Sequence, residues 1–193
     1  DFINHISYQR SITMPQAWAG RNVKLNFGAV YYNSEVYIDG KLAGRHFGGS
    51  TSFAIDVTKF IADGKPHSLV VHAYSDTRTA KQPAGKQNMR YEPFECMYTR
   101  TTGIWQTVWL EFTPKTYIKS VKYLTDISAM TVTVQAELEG RGALTAEAFY
   151  ESKSVGRASV DSFGGNAVIT LTLDELHLWE IGNGRLYDLV LTY

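Results

Sequence analysis

The chain has no excess charge of either sign and no long apolar run, and both absences exclude classes of partner. Its 193 residues include 19 Lys plus Arg and 19 Asp plus Glu, so the formal net charge is zero. Because nucleic acids and anionic membrane surfaces attract basic proteins, we expect neither as a partner. No apolar run approaches the roughly 20 residues of a membrane helix, and no charged and apolar leader opens the sequence. We expect a soluble chain, with any signal peptide outside it.

Cysteine is nearly absent as well. Cys96 is the single cysteine, which excludes an internal disulfide and means that the apolar core must hold the fold. The cellular compartment stays open, with the periplasm or secretion expected for a bacterial source. His46, His67, His72 and His177 lack metal-ligand spacing and have no cysteine partners. We therefore expect no metal site and no cofactor.

Aromatic residues, in contrast, make up 13% of the sequence, and short segments alternate apolar with polar residues. This pattern favours β-strands over helices. In the first 114 residues it predicts strands at residues 8–13, 21–27, 53–57, 67–74 and 104–112. In the last of these, Trp105 and Trp109 are expected to share one face. Residues 57–61 are expected to form a single helical turn, since Asp56 and Thr58 are capping types.

A glycine-rich stretch in the first half predicts sharp bends. Asp39-Gly40 lies between the apolar run Val36-Tyr37-Ile38 and Leu42, and Asp and Gly tolerate the positive φ angles of a two-residue hairpin turn. Gly48-Gly49 interrupts the extended run again before residues 53–57 resume the alternation. The stretch therefore predicts a β-hairpin followed by a second bend.

Residues 75–102 show no periodicity and are predicted to form a long loop. The loop carries Tyr91, Phe94 and Tyr98, aromatic residues that disordered segments lack. Loops of this length in compact domains are usually functional or disordered. We therefore predict an ordered surface loop with a function.

The second part of the chain repeats short alternating segments. Strands are predicted at residues 117–121, 130–138, 145–150, 167–173 and 186–192. Turns are predicted at Gly140-Arg141-Gly142, Gly164-Gly165-Asn166 and Gly182-Asn183-Gly184. Such spacing is typical of a small β-sandwich.

The motifs of the first part resemble those of a known family. The central ones are Tyr37-Ile38-Asp39-Gly40-Lys41-Leu42-Ala43-Gly44, His46, Gly48-Gly49, Phe53 and Asp56-Val57-Thr58. Flanking ones are Tyr8-Gln9-Arg10, Met14-Pro15 and Trp18 upstream, and Thr102-Gly103-Ile104-Trp105-Gln106, Val108-Trp109-Leu110 and Pro114 downstream. In this order they resemble the sugar-binding domain of glycoside hydrolase family 2, which contains β-galactosidases and β-glucuronidases; the family more often has Asn where Asp39 stands.

The resemblance implies two all-β domains. Residues 1–114 are expected to form a jelly-roll (galactose-binding-like) β-sandwich. Leu178-Trp179 and Leu186-Tyr187-Asp188-Leu189 resemble the immunoglobulin-like domain that follows in the family. Residues 115–193 are accordingly expected to form an immunoglobulin-like β-sandwich.

The resemblance also implies where the catalytic chemistry lies. Retaining glycoside hydrolases use two carboxyl groups about 5–5.5 Å apart, and this family places both on a third domain, a (β/α)₈ barrel. No alternation of strands and helices in this chain fits such a barrel, so we assign no catalytic residue. Glu92 and Glu95, which flank Pro93, are expected to be solvated or paired with Arg90 and Arg100 rather than to form a local substitute.

The predicted function is that of a non-catalytic N-terminal piece of a family 2 glycoside hydrolase of the β-galactosidase type, inactive alone. It would support and partly wall the sugar site of a catalytic barrel that the sequence lacks. The expected partners are that barrel and, through the whole enzyme, a β-glycoside; a homo-oligomer is left open. Two alternatives also stay open, a free-standing carbohydrate-binding module with exposed aromatic rings and a scaffold that binds no sugar.

Three residues of the loop are the predicted substrate contacts. In several family members an Asp of the first domain, a few residues before the Gly-Ile step, reaches the active site, and alignment on Gly103 puts Met97 there. A loop shorter by two residues would give that place to Glu95, and Arg100 matches a basic residue of some members. Glu95, Tyr98 and Arg100 are therefore the candidate substrate-binding residues.

Overall fold

The computed structural model describes residues 2–79 and 81–193, and its regular secondary structure is almost entirely β-strand. The predicted all-β class is confirmed. Two compact units make up the chain, and the division falls between Thr113 and Pro114. Asp1 and Ala80, which belong to the predicted first domain, lie outside the described residues.

The first unit is a sandwich of two antiparallel sheets. Its elements are β1 (His5–Ile12), a 3₁₀ turn (Gln16–Trp18), β2 (Asn22–Phe27), β3 (Val30–Tyr31), β4 (Asn33–Ile38), β5 (Lys41–Phe47), β6 (Phe53–Asp56), α1 (Thr58–Ile61), β7 (His67–Tyr74), β8 (Gly103–Ile104) and β9 (Val108–Thr113). One sheet has the strand order β1-β7-β4-β5 and the other β6-β2-β9, while β3 pairs with β8. Val23, Leu25 and Phe27 of β2 are buried in one core with Val36 and Ile38 of β4. The core thus lies between the two sheets, as the alternation of apolar residues predicts.

The predicted hairpin is confirmed at β4 and β5. Ile38 pairs with Lys41, and the two residues between them have positive φ angles, 49° for Asp39 and 74° for Gly40. Positive φ at both central residues is the geometry of the two-residue turn that Asp-Gly favours. The predicted helical turn is also present as α1, where the Thr58 amide donates to Asp56 Oδ1 at 2.9 Å.

The single strand predicted over residues 104–112 is wrong, because the chain changes sheets within it. Ile104 pairs with Val30 of β3, whereas Val108 pairs with Phe27 of β2. Residues 105–107 make the step between the two pairings, alongside the bend that separates β2 from β3. Gly28 marks this close approach, since a Cβ there would lie 2.8 Å from the Cβ of Gln106.

The second unit has its own pair of antiparallel sheets. Its strands are β10 (Tyr117–Asp126), β11 (Thr131–Glu139), β12 (Gly142–Tyr150), β13 (Lys153–Ser162), β14 (Gly165–Thr172) and β15 (Asp188–Thr192). The sheet orders are β10-β11-β14 and β13-β12-β15. Val134 and Leu138 of β11 are buried together with Leu144 of β12. The core of this unit therefore also draws on both of its sheets.

Strand β13 was not predicted from the sequence. Its ten residues include three Ser, and the apolar residues Val155, Ala158 and Val160 do not keep a regular alternation. The turn before it contains Glu151 and Ser152, which have positive φ angles of 47° and 68°. Because Asn, Asp or Gly usually occupies such positions, the turn gave no signal in the sequence.

Candidate functional site

The predicted loop leaves β7 after Tyr74 and returns to the sheets at Gly103. Its two arms are joined by backbone hydrogen bonds, in which the Asn88 amide donates to the Tyr98 carbonyl at 2.8 Å and the Tyr98 amide donates to the Lys86 carbonyl at 2.7 Å. Neither arm contributes to the main sheets. The loop is thus an excursion with its own hydrogen bonding.

Arg100, a predicted substrate contact, holds the loop together. Its guanidinium donates to the carbonyls of Asn88 at 3.2 Å and Tyr91 at 3.4 Å, and also to the carbonyl of Arg90. The same group lies 3.9 Å from the centre of the Phe2 ring. The planar guanidinium can bind several carbonyls at once, so much of its bonding capacity serves the loop itself.

Glu95 and Tyr98, the other two predicted contacts, are both exposed. Glu95 lies in a turn closed by the Met97 amide, which donates to the Phe94 carbonyl at 2.9 Å, and its φ angle is 50°. The Tyr98 side chain is 62% exposed. Of the three predicted substrate-binding residues, Glu95 and Tyr98 therefore face solvent, whereas the Arg100 guanidinium is directed at the loop carbonyls.

An open pocket lies between the loop and the sheets of the first unit, with a volume of ≈ 590 Å³. We call it the aromatic pocket. It is lined by Tyr31, Tyr32, Gly48, Gly49, Ser50, Thr51, Pro83, Ala84, Gly85, Gln87, Tyr98, Thr99, Thr101 and Trp105. Of the described residues that line it, none is Asp, Glu, Lys, Arg or His.

Tyr31 and Tyr32 line the most buried part of the aromatic pocket. The Tyr31 hydroxyl donates to the Pro83 carbonyl, which ties the loop to the sheet, and burial raises the pKa of Tyr31 above its usual value. Gly49 must be a glycine here, because a Cβ would lie 2.0 Å from Cδ2 of the Tyr31 ring. The predicted bend at Gly48-Gly49 thus lets the backbone pass directly against this ring.

Trp105 forms another wall of the aromatic pocket. Its indole Nε1–H donates to the Gly49 carbonyl at 2.8 Å, and 48% of the residue is exposed. The hydrogen bond uses the only polar group of the indole and fixes the ring. The sequence prediction treated Trp105 as a strand residue, and only its position in the Thr102–Gln106 motif could have indicated another role.

Neither a metal centre nor a membrane helix is found in the described part of the chain. Residues 2–79 and 81–193 contain no group of three or more His, Cys, Asp or Glu side chains arranged to hold a metal ion. Within the same ranges, no helix is long and apolar enough to cross a membrane.

Residues 3–114 match the sequence model described as "Glycosyl hydrolases family 2, sugar binding domain". A putative beta-glucuronidase of Formosa agariphila is 30% identical over 118 residues, covering 61% of the chain and 13% of that protein. The beta-glucuronidase of Felis catus is 27% identical over 201 residues, covering 92% of the chain and 30% of that protein. The beta-galactosidase BoGH2A of Bacteroides ovatus is 26% identical over 200 residues, covering 95% and 22%.

Solved structures resemble the chain over nearly all of its length. The beta-glucuronidase of Ruminococcus gnavus superposes with a TM-score of 0.70 at 20% identity, over 99% of this chain and 33% of that one. The beta-glucuronidase of Bacteroides uniformis gives a TM-score of 0.74 at 20% identity, over 97% and 24%. At this identity the likeness shows the fold alone. The chain spans less than a third of the length of each of the three sequence relatives.

Proposed function

The chain belongs to glycosyl hydrolase family 2, and from that premise we propose that it serves a retaining β-glycosidase as a non-catalytic part bordering the sugar site. Its sequence relatives are named as β-glucuronidases and β-galactosidases. The two-carboxylate chemistry of such enzymes would be supplied by a (β/α)₈ domain. In this proposal the chain contributes contacts and exclusion rather than proton transfer.

The observation that supports this role is the part of the predicted loop that comprises residues 81–102. Its backbone is hydrogen-bonded between its arms and held by Arg100, yet Glu95 and Tyr98 face solvent. Binding residues are commonly carried by loops whose position is fixed by a rigid scaffold. A carboxylate accepts hydrogen bonds from sugar hydroxyls, and an aromatic ring covers the apolar face of a sugar. The loop can therefore form one side of a sugar site without a change in its backbone conformation.

The decisive experiment compares substrates in the full-length enzyme. Replacing Glu95 by Ala should change the ratio of kcat/KM between a galactoside and a glucuronide by about tenfold, equivalent to one hydrogen bond to a charged group, ~1.5 kcal/mol. The melting temperature should hardly change, because Glu95 is exposed. Glu92→Ala is the matched control, since Glu92 is an exposed carboxylate of the same loop outside the Phe94–Met97 turn.

Two outcomes would contradict this role. Equal loss of kcat/KM for both substrates would mean that Glu95 does not discriminate between them. No change in either would favour the scaffold alternative, which the bonding of Arg100 to loop carbonyls and its contact with Phe2 also support.

A further inference from the structure

The aromatic pocket carries an inference that deepens the proposed function and rests on it. We propose that this pocket binds an uncharged pyranose ring of the glycosidase's substrate, and that the first unit does so without help from a catalytic domain. The site would be selective for neutral hexoses over uronic acids. Its selectivity follows from the size, the aromatic faces and the charge of the lining residues.

The size of the aromatic pocket fits a sugar ring. Its volume of ≈ 590 Å³ lies within the range of about 300–1,000 Å³ that is usual for small-molecule sites. It is formed by four separate segments of one unit, which include the glycine bend at Gly48-Gly49 and the loop around Tyr98. Room therefore exists for one pyranose ring together with part of a neighbouring group.

The aromatic side chains that line the pocket are held by hydrogen bonds, yet parts of their ring surfaces stay accessible. The Trp105 indole N–H donates to the Gly49 carbonyl, and the Tyr31 hydroxyl donates to the Pro83 carbonyl. These bonds orient the rings and leave the 48% exposed Trp105 and the 62% exposed Tyr98 as apolar surfaces. The C–H groups on one face of a pyranose can pack on such flat surfaces, since aromatic rings offer large, rigid contact area.

Hydroxyl groups among the lining residues complement the aromatic rings. Ser50, Thr51 and Thr99 line the pocket and are exposed. A hydroxyl both donates and accepts hydrogen bonds, as do the hydroxyls of a sugar. A few polar groups around an apolar surface are the usual composition of a small-molecule site.

The charge of the pocket decides between neutral and acidic sugars. Within the described part of the chain, no lining residue is basic or acidic. Two side chains that can carry positive charge contact lining residues from outside the pocket: His46 Nε2 lies 3.2 Å from Thr51 Oγ1, and Lys86 Nζ lies 6.0 Å from the centre of the Tyr98 ring, but neither residue lines the pocket. A carboxylate placed in the pocket would lose hydration without gaining an oppositely charged residue in the lining, which is costly. The proposal therefore commits to a neutral hexopyranoside as the ligand.

The test is a titration of the 193-residue chain followed by NMR. Methyl β-galactopyranoside at tens of millimolar should shift the amide signals of residues 48–51 and the indole N–H signal of Trp105. Methyl β-glucuronide at the same concentration should not. Tyr98→Ala should weaken binding of the galactoside by about two- to tenfold, the value of an aromatic contact.

Tyr91→Ala provides the matched control. Tyr91 is 66% exposed, close to the 62% of Tyr98, and belongs to the same loop but does not line the pocket. Binding should be unchanged in this variant.

Three results would overturn the proposal: no shifts with the galactoside, equal shifts with the glucuronide, or equal weakening by both substitutions. Each would leave the Glu95→Ala comparison in the full-length enzyme unaffected. The two proposals therefore fail separately.

Discussion

His67 illustrates how a single residue can join two turns of the first unit. It is 8% exposed, and its Nδ1 lies 2.6 Å from Asp39 Oδ2 while its Nε2 lies 2.7 Å from Asp63 Oδ1. Both ring nitrogens can donate only in the protonated imidazolium. The two carboxylates accordingly raise the pKa of His67, with the hydrogen bond to Asp39 as the largest cause.

This raised pKa predicts a dependence of stability on pH. Because the folded pKa lies above the usual value of 6.5, the stabilisation by charged His67 is fully present below pH 6.5 and is lost as the pH rises through the folded pKa. We expect the free energy of unfolding of the first unit to fall as the pH rises from 6.5 through the raised pKa of His67. His67→Gln should lower stability most in weakly acidic solution and flatten this dependence, as chemical denaturation at a series of pH values would reveal.

The acid side of the same profile reports on the carboxylates. The pKa of Asp39 is lowered, chiefly by its hydrogen bond to His67, so its contribution is present above about pH 4 and is lost as the pH falls through its folded pKa. His5→Gln is a suitable control, because His5 is an exposed histidine on β1. If the His67→Gln and His5→Gln profiles coincide, the paired carboxylates do not act as described.

Among the elements, the loop segment of residues 81–102 is expected to depend on the Arg100 side chain for its stability. Without the Arg100 guanidinium, the carbonyls of Asn88, Arg90 and Tyr91 would lose a common donor. Arg100→Ala is expected to destabilise the loop by about 2 kcal/mol, the order of a hydrogen bond to a charged group. Hydrogen exchange at the Asn88 and Tyr98 amides should become faster, because these bonds hold the two arms together.

Arg90→Ala is the control for this prediction. The Arg90 guanidinium lies 4.1 Å from the centre of the Phe94 ring, and a cation–π contact at an exposed site contributes only about 0.5–1 kcal/mol. Its effect on amide exchange should be smaller. Equal protection in the Arg100→Ala protein and the unsubstituted chain would show that the backbone alone holds the loop.

Some elements could be predicted from the sequence because their local chemistry agrees with the fold. Asp39-Gly40 has both the residues and the flanking pattern of a two-residue turn, and the turn forms. The turn at Glu151 and Ser152 needs the same positive φ angles without residues that favour them. The sequence therefore did not predict the strand β13 that follows this turn. The step at Trp105 was missed for another reason, because pairing with two different sheets is a tertiary feature that alternation cannot report.

The candidate site was predictable only in part. The loop follows from the lack of periodicity, whereas the exposure of Tyr98 is known only from the structure. The bonding of Arg100 to carbonyls does not, because it depends on the path of the folded loop. The aromatic pocket draws on residues from Tyr31 to Trp105, and no short window of sequence contains more than a fraction of such a site.

At the scale of the whole molecule, each unit has a buried core of its own. One core includes Leu25 and Ile38 and the other Leu138 and Leu144. Because a unit with its own apolar core can fold independently, we expect residues 1–113 and residues 114–193 to fold when produced separately. Each should unfold cooperatively on heating, with far-UV circular dichroism dominated by strands.

A control for separate folding is a core substitution in one unit. Leu144→Ala should lower the melting temperature of the second unit strongly, since removing a buried Leu side chain costs about 2–5 kcal/mol, and should leave the first unit unchanged. Dispersed NMR signals in only one of the separated units would contradict independent folding.

The step at residues 105–107 has a consequence for how such a chain can diverge. The loop returns through the short strand β8 to Trp105, whose ring lines the aromatic pocket. On either side of residues 105–107, β8 stays paired with β3 and β9 with β2. Insertions or deletions among residues 81–102 would therefore reshape the pocket opening without altering the registers of the sheets. Loop length is thus a variable on which natural selection could act to change the sugars that are admitted, while the scaffold stays the same.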